Sequence, residues 1–568
     1  GRVGRPRPTH LSARMGGAMA RRMTWHLSTI DRSRKTRDTP AMIRAVVMLV
    51  CSAVAASAVE PVLIPRPTSV REQPGTLVLA ADSLVLAPPE LIDTAVATLS
   101  AAAGCSLKPA PAGTPGRIQF LTANTLPEAL PMPQGEGYVM RITPDGVNIH
   151  AATPAGHFYG LQSLTQALTT ASPPRTLACA DVVDAPRFGW RGFMLDESRH
   201  FTGITEVKRL LDAMAYYKLN RLHWHLTDSP GWRIEIRKFP NLTAIGSRGS
   251  ESDRRQDAPP QFYTQDQIKD IVAYAKARHI TLIPEIEMPG HADAAGLSYP
   301  EHSGGGFIAD ASAGKWPNFT FNPAKPETLA FLDSILTEIA MLFPDAGVIH
   351  FGGDEVNFGW QHWTDLPDVK SLMQRENLKD LNAIETWFNR RMAAYINMLG
   401  FTTGGWDEVA ARGLPRAQTL VFWWRHDQPQ VLRRALDDSY QIVLCPQRPC
   451  YFDFVQHDSH QNGRRANGFN PLADVYAFPD SLKELRPGDA PQVRGIQANL
   501  WTETTVTQQR RDFLTWPRLV ALAEAAWTPA ARKDYAAFET NLKVHLPLLR
   551  ARGFTPWDPF TVSPEVVK

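Results

Sequence analysis

Val348-Ile349-His350-Phe351-Gly352-Gly353-Asp354-Glu355 joins a short apolar run to a glycine pair and two adjacent carboxylates. If the apolar residues form a buried strand, the acids stand at its C-terminal end, where glycines let a ligand approach the backbone. Neighbouring carboxylates repel, so in a closed pocket one of them holds a proton. A protonated acid beside an ionised one is the raw material of acid catalysis.

Working outward, the same rhythm recurs. Strands are expected at 189–195, 221–226, 281–286, 348–351, 402–405, 419–423, 441–444 and 497–500. Amphipathic helices are expected between several of them, at 206–218, 264–278, 327–342 and 383–399. In the first, Val207, Leu210, Leu211, Met214 and Tyr217 share a face. Strands alternating with helices in this number describe an α/β protein built on a (β/α)8 TIM barrel. The Gly-rich fifth run and the path through 466–488, where no helix stands out, fit the pattern least well.

Barrel sites form at the C-terminal strand ends. Those ends carry Asp196 and Arg199, Asp228, Glu285 and Glu287, Asp354 and Glu355, Trp406 with Asp407 and Glu408, Trp423-Trp424-Arg425, Tyr451 and Asp453, and Trp501 with Glu503. Tryptophan faces suit the C–H faces of sugars, and carboxylates and arginine suit hydroxyl groups. The sequence has neither a Gly-rich phosphate loop nor a nicotinamide fingerprint. No cofactor and no metal are expected.

A small α+β domain is expected to precede the barrel, over 59–185, with the barrel at 186–530. Strand-like pieces lie at 76–80, 117–121, 137–142 and 146–150, the last two a hairpin around Thr143-Pro144-Asp145-Gly146. Helices are expected at 92–103 and 156–168. Residues 531–568 are read as a C-terminal helix and tail against the barrel flank, the helix starting near Ala530.

Residues 1–41, rich in Arg, Ser and Gly, are read as an upstream leader or a misassigned start. Met42 and Arg44 open a signal-like segment, 42–58, with cleavage expected after Ala58. Its apolar run is short for a stable membrane span, and a poorly cleaved anchor is the alternative. The protein is therefore expected to be exported, to the periplasm or the medium. Removing 1–58 takes away eleven of 60 basic and two of 57 acidic residues, and turns a net +3 into −6. The formal basicity belongs to the leader and gives no support for nucleic-acid binding.

Cys105, Cys179, Cys445 and Cys450 remain after cleavage. Cys445 and Cys450 are placed to close a small loop, and Cys105 and Cys179 share the N-terminal region. Four cysteines allow three complete pairings.

The block Gly352-Gly353-Asp354-Glu355 resembles glycoside hydrolase family 20, the β-N-acetylhexosaminidases. So do Asp196-Glu-Ser-Arg-His200, His225-Leu-Thr-Asp228, Pro284-Glu-Ile-Glu-Met-Pro-Gly-His291 and Trp501-Thr-Glu503, over roughly 60–530. The resemblance implies an exo-acting, retaining hydrolase of terminal β-linked N-acetylhexosamine in oligosaccharides, chitooligosaccharides among them, or in glycoconjugates. It also implies that the substrate's acetamide, not a protein carboxylate, attacks the anomeric carbon and forms an oxazolinium ion. Glu355 is then the general acid and Asp354 the partner of the acetamide N–H. Tyr451 holds the acetamide oxygen. Arg199, Asp453 and Glu503 bind hydroxyls, and Trp387, Trp406 and Trp501 form aromatic walls. Asp228, His291 and His350 support the acids from within. Trp423, Trp424 and the 454–470 loop are expected to shape the leaving-group side. Phe351 stands where many relatives carry a smaller aliphatic residue.

Plainer readings exist. The Asp354-Glu355 pair suits a solvated helix start, Arg199 a surface ion pair and Asp228 a turn cap before Ser229-Pro230. His223 and His225, two apart on a strand, resemble metal ligands of some barrel hydrolases. An inactive sugar-binding barrel and a retaining glycosidase with a protein nucleophile are the competing functions. Turnover of an aryl N-acetyl-β-glucosaminide against an aryl β-glucoside separates them.

Overall fold

A computed structural model describes residues 61–123, 131–171, 175–255, 257–307, 316–465 and 468–561. The expected leader, the signal segment and the end of the tail lie outside the described residues.

Eight parallel strands close into a barrel in sequence order: Trp190–Asp196, Arg221–His225, Thr281–Glu285, Val348–His350, Thr402–Trp406, Thr419–Trp423, Gln441–Leu444 and Val493–Leu500. The last pairs with the first, Leu500 opposite Leu195. Side chains alternate along each strand, so the chain builds two cores. Leu222, Trp224, Leu282, Ile349, Trp423 and Leu444 face outward into the helix layer. Met194, Ile283, Trp406, Phe422 and Val443 fill the interior.

The helices Ile204–Tyr216, Gln265–Lys276, Pro326–Leu342 and Leu381–Met398 agree with the expected ones to within a few residues. The second starts at a capping box, with Thr264 and Gln267 exchanging side-chain and backbone bonds. The Gly-rich fifth strand is genuine. A Cβ on Gly404 would meet His350 Cδ2 and Val348 Cγ1 at 3.0 Å. The glycines there make room inside the barrel for a histidine that the site uses. A short helix, Leu472–Ala477, interrupts the stretch in which none was expected.

The preceding domain is a seven-stranded mixed sheet with helices Ile92–Ala103 and Pro154–Thr170. The expected hairpin is Tyr138–Thr143 with Gly146–Ala151. One long strand was not anticipated. Thr176–Asp184 pairs with Ser69–Val78 on one side and Tyr138–Thr143 on the other. It is buried along most of its length, so it lacks the alternation that marks a half-exposed strand.

Domain and barrel meet across buried polar groups. Asp184 accepts from Lys218 Nζ, Tyr138 Oη and Trp527 Nε1, each at 2.8 Å. The C-terminal helix begins later than expected, at Tyr535, because the Asp534 side chain caps it by accepting from Ala537 N. Among the described residues the four cysteines are free thiols, and neither expected bridge is formed between them. No helix among the described residues is long and apolar enough to cross a membrane.

Candidate active site

At the C-terminal mouth of the barrel lies a cavity of about 240 Å³ lined by Arg199, His291, Asp354, Glu355, Trp406, Trp424, Gln447, Tyr451, Arg464, Trp501 and Glu503. It is smaller than the roughly 300–1,000 Å³ typical of clefts for drug-sized ligands. Its scale is that of one sugar ring.

The acids reach it through an unusual backbone turn. After the fourth strand, Gly352, Gly353 and Glu355 all have left-handed φ, 72°, 87° and 53°. A Cβ on Gly352 would lie 1.7 Å from Glu287 Oε2. Only glycine allows that buried carboxyl to sit against the turn that presents Asp354 and Glu355.

Behind the acids runs a buried relay. His291 Nε2 lies 3.5 Å from both Asp354 Oδ2 and Glu355 Oε2. Its Nδ1 is 3.0 Å from Asp228 Oδ1. Asp228 Oδ2 meets Arg199 Nη2 at 2.7 Å and His225 Nε2 at 2.9 Å. His225 Nδ1 is 2.5 Å from Glu285 Oε2, and Glu285 also meets His223 at 3.0 Å and His350 at 2.9 Å. Asp196 ties the first and eighth strand ends together, accepting from Ser198 N, Arg199 N and Thr502 N. Asp228 also accepts from Ser229 N, so the turn-cap reading and the supporting role hold together.

These contacts set the charges. Burial raises Asp354, and Glu355, Glu285 and Asp228 add to it against the pull of His291, so its carboxyl is pushed up to about 7. Burial also raises Glu355, but the hydrogen bond and charge of His291 outweigh it and hold Glu355 below its usual range. Burial disfavours the His291 cation, yet Asp228 and Asp354 prevail and keep it protonated well above its ordinary range. Burial, Asp354 and Glu285 together keep Glu287 neutral far above the usual carboxyl range. The protein groups alone therefore put the proton of the catalytic pair on Asp354.

Of the residues singled out in the sequence, Arg199, His291, Asp354, Glu355, Trp406, Tyr451, Trp501 and Glu503 line the one cavity. Arg199 lies 5.0 Å over the Trp501 ring and 3.9 Å from Glu503. Asp453 is buried beside it, 3.7 Å from Arg464, and burial with Glu503 pushes its carboxyl to about 7. Asp228 and His350 stand in the relay rather than on the cavity.

Two aromatic expectations change. Trp387 does not line this cavity: it lies in the second turn of the outer helix Leu381–Met398, behind the barrel wall. Trp423 turns outward into the helix-side core. Trp424 takes the wall position, its ring stacked 6.5 Å from Tyr451 at 17°. Leu420, Phe422 and Trp424 have the same parity and share the interior core, a signal that counting along the sixth strand contained. Arg464 comes from the 454–470 loop that was expected at the site, though the residue was not named; Gln447, at the start of the short helix Gln447–Cys450, was not foreseen. Asp407 and Glu408 serve Trp424, accepting from its backbone N–H and its indole N–H, each at 3.1 Å.

Three groups gather metal-type ligand atoms: His223, Glu285 and His350; His225, Asp228 and Glu287; His291, Asp354 and Glu355. In each, histidine nitrogens stand at hydrogen-bond or ion-pair distance from carboxylates, the contacts from which the relay is built. Asp354 Oδ1 and Trp406 Nε1 are buried without a protein partner, an acceptor and a donor available to a polar ligand.

The family model for the catalytic domain of glycosyl hydrolase family 20 matches residues 188–530, and that for domain 2 of the same family matches 60–185. The chain belongs to glycosyl hydrolase family 20. It is similar to a β-hexosaminidase of Porphyromonas gingivalis, 37% identical over 72% of this chain and 53% of that protein. It is also similar to one of Akkermansia muciniphila, 32% identical over 78% of this chain and 90% of that protein. The chain thus spans about half the length of the first and nearly all of the second. Among solved structures, an exo-β-N-acetylglucosaminidase of Vibrio harveyi in complex with N-acetylglucosamine matches with TM-score 0.78 and 30% identity, over 88% of this chain and 79% of that one. A Streptomyces plicatus β-hexosaminidase mutant in complex with its product, GlcNAc, matches with TM-score 0.74 and 28% identity, over 88% and 97%.

Proposed function

We propose that this chain is an exo-acting β-N-acetylhexosaminidase that removes a terminal, non-reducing β-linked N-acetylhexosamine with retention of configuration. The observation that carries the reading is one pocket of single-sugar size in which Asp354 and Glu355 share His291 beneath three tryptophans. The N-acetylglucosamine held by the Vibrio relative and the product held by the Streptomyces one support the sugar class.

The sugar enters with its face on Trp501 and its hydroxyls toward Arg199, Asp453 and Glu503. Its acetamide turns back toward Trp406, Trp424 and Tyr451, with the N–H donating to Asp354. That bond favours the Asp354 carboxylate, and the sugar covering Glu355 favours the Glu355 acid. His291, in reach of both, is the path by which the proton changes carboxyl. Glu355 then protonates the departing glycosidic oxygen while the acetamide oxygen attacks the anomeric carbon. The oxazolinium ion carries positive charge that Asp354 offsets. Water, deprotonated by Glu355, opens the ring with net retention.

The test compares aryl N-acetyl-β-glucosaminide, aryl N-acetyl-β-galactosaminide and aryl β-glucoside. The N-acetyl substrates are expected to turn over and the glucoside not. Equal turnover of the glucoside, or a covalent glycosyl ester on the protein, would overturn substrate assistance; sugar binding without turnover would identify an inactive barrel. We further propose export of the protein, supported by the signal-like segment 42–58. Recovery of the protein in the periplasm or medium with a new N-terminus after Ala58 tests it.

A further inference from the structure

We infer a second carbohydrate site, separate from the catalytic pocket, in the groove around Trp387, and that it takes an acidic glycan. The groove encloses about 640 Å³ along the first turns of the helix Leu381–Met398, and Lys379, Asp380, Asn382, Trp387, Arg390 and Arg391 line it. Those turns lie toward the catalytic face of the barrel. Arg412, in the turn after the fifth strand, pairs with Glu385 at 2.6 Å and donates to Asn382.

Three features give the groove its chemistry. Trp387 is partly buried against two cores, so its ring is held while part of it faces the groove. A fixed indole face is what the C–H face of a pyranose stacks on. Next, the charges do not cancel. Arg391 is paired with Asp333 at 2.5 Å, and Asp380 accepts from Ala383 N while keeping its formal negative charge, so Lys379 and Arg390 leave the groove one net positive charge. Lys379 is exposed and has no carboxylate partner among the described residues. Arg390 donates from Nε to the Arg412 carbonyl at 3.0 Å, and its terminal nitrogens face no acid among the described residues. Last, Lys379 and Arg390 line the same groove as the indole, so an acidic group on a stacked sugar, or on its neighbour, has cations to meet with charge-assisted bonds. A neutral glycan would use the indole and leave both cations unmatched. A bare anion would use the cations and leave the indole unmatched.

The test uses the full chain and a tetrasaccharide of alternating hexuronic acid and N-acetylhexosamine with the hexuronic acid at its non-reducing end, which gives the catalytic pocket no terminal N-acetylhexosamine. Calorimetry is expected to show one binding event. Lys379→Gln with Arg390→Gln, and separately Trp387→Ala, are each expected to weaken it at least about tenfold. Turnover of an aryl N-acetyl-β-glucosaminide should stay within about twofold of the parent in the charge variant, which reports that the fold is intact. Absence of binding would overturn the proposal. So would binding unchanged by the charge variant, or competition by inorganic sulfate with no effect of Trp387→Ala, which marks an ion site only. Tighter binding of neutral cellotetraose, which also gives the catalytic pocket no terminal N-acetylhexosamine, would overturn the acidic class. Because the readout is binding, failure of the catalytic reading leaves it independently testable.

Discussion

Glu355 and Asp354 differ by one methylene and one place in the chain, yet the protein treats them oppositely. His291 lies 3.5 Å from each. It holds Glu355 low, while the surrounding acids and burial carry Asp354 to about 7. The active form of the pair carries one proton. A carboxyl raised to about 7 keeps its proton below that pH and loses it above, so kcat/KM should fall as pH rises through about 7. The acid limb, where the second proton binds, should lie below the ordinary glutamate range, because Glu355 is depressed. Both limbs belong to the pair, not to single residues. A profile still rising at pH 8 would reject this assignment. Glu355→Gln should lower kcat on chitobiose by about 10²–10⁴ with little change in KM. An aryl glycoside whose leaving group needs no proton should lose less in cleavage. Full chitobiose turnover by the variant would remove Glu355 from the acid role.

At the scale of elements, the site depends on where strands stop and how the chain turns beyond them. The turns on either side of the fourth strand, Val348–His350, show this best. Gly347→Ala and Gly352→Ala both place a side chain at left-handed φ, 68° and 72°. A Cβ at 347 meets nothing within 4 Å, whereas at 352 it collides with Glu287. The first change should cost only the conformational term, about 1–2 kcal/mol, and leave kinetics intact. The second should lower Tm further and abolish turnover by displacing the acids. Thermal denaturation and steady-state rates of the two variants decide it; equal behaviour would show that the Glu287 contact does not matter. Strand parity was legible wherever apolar and polar residues alternate, as in Leu222, His223, Trp224 and His225. Parity has nothing to say of Trp387, which the resemblance alone put in the site: the helix Leu381–Met398 lies outside the wall, and Trp387 in its second turn does not line the catalytic cavity.

For the whole molecule, the smaller domain is fastened to the barrel by the Lys218–Asp184 pair, with both side chains almost fully buried. Lys218→Met keeps the stem and removes the charge. Losing one partner of a buried pair typically costs about 3–5 kcal/mol. Asp184 keeps Tyr138, Trp527 and the Thr68 N–H, so the lower end is expected. Tm should fall by several degrees while KM for an aryl N-acetyl-β-glucosaminide stays unchanged. A shift in KM instead would mean that the domain positions the catalytic face.

The order of strands and helices, the barrel class and the acid pair could be read from the chain alone, because periodicity and residue type are local properties. The relay from Glu285 to Glu355 was only partly visible: its members were there as pairs of His and acid at strand ends, but not their contacts. The proton order of the acid pair, the choice of Trp424 over Trp387, and the residues Gln447 and Arg464 were decided by tertiary structure. Each depends on distances between segments far apart in sequence, and on the burial that only the closed barrel creates.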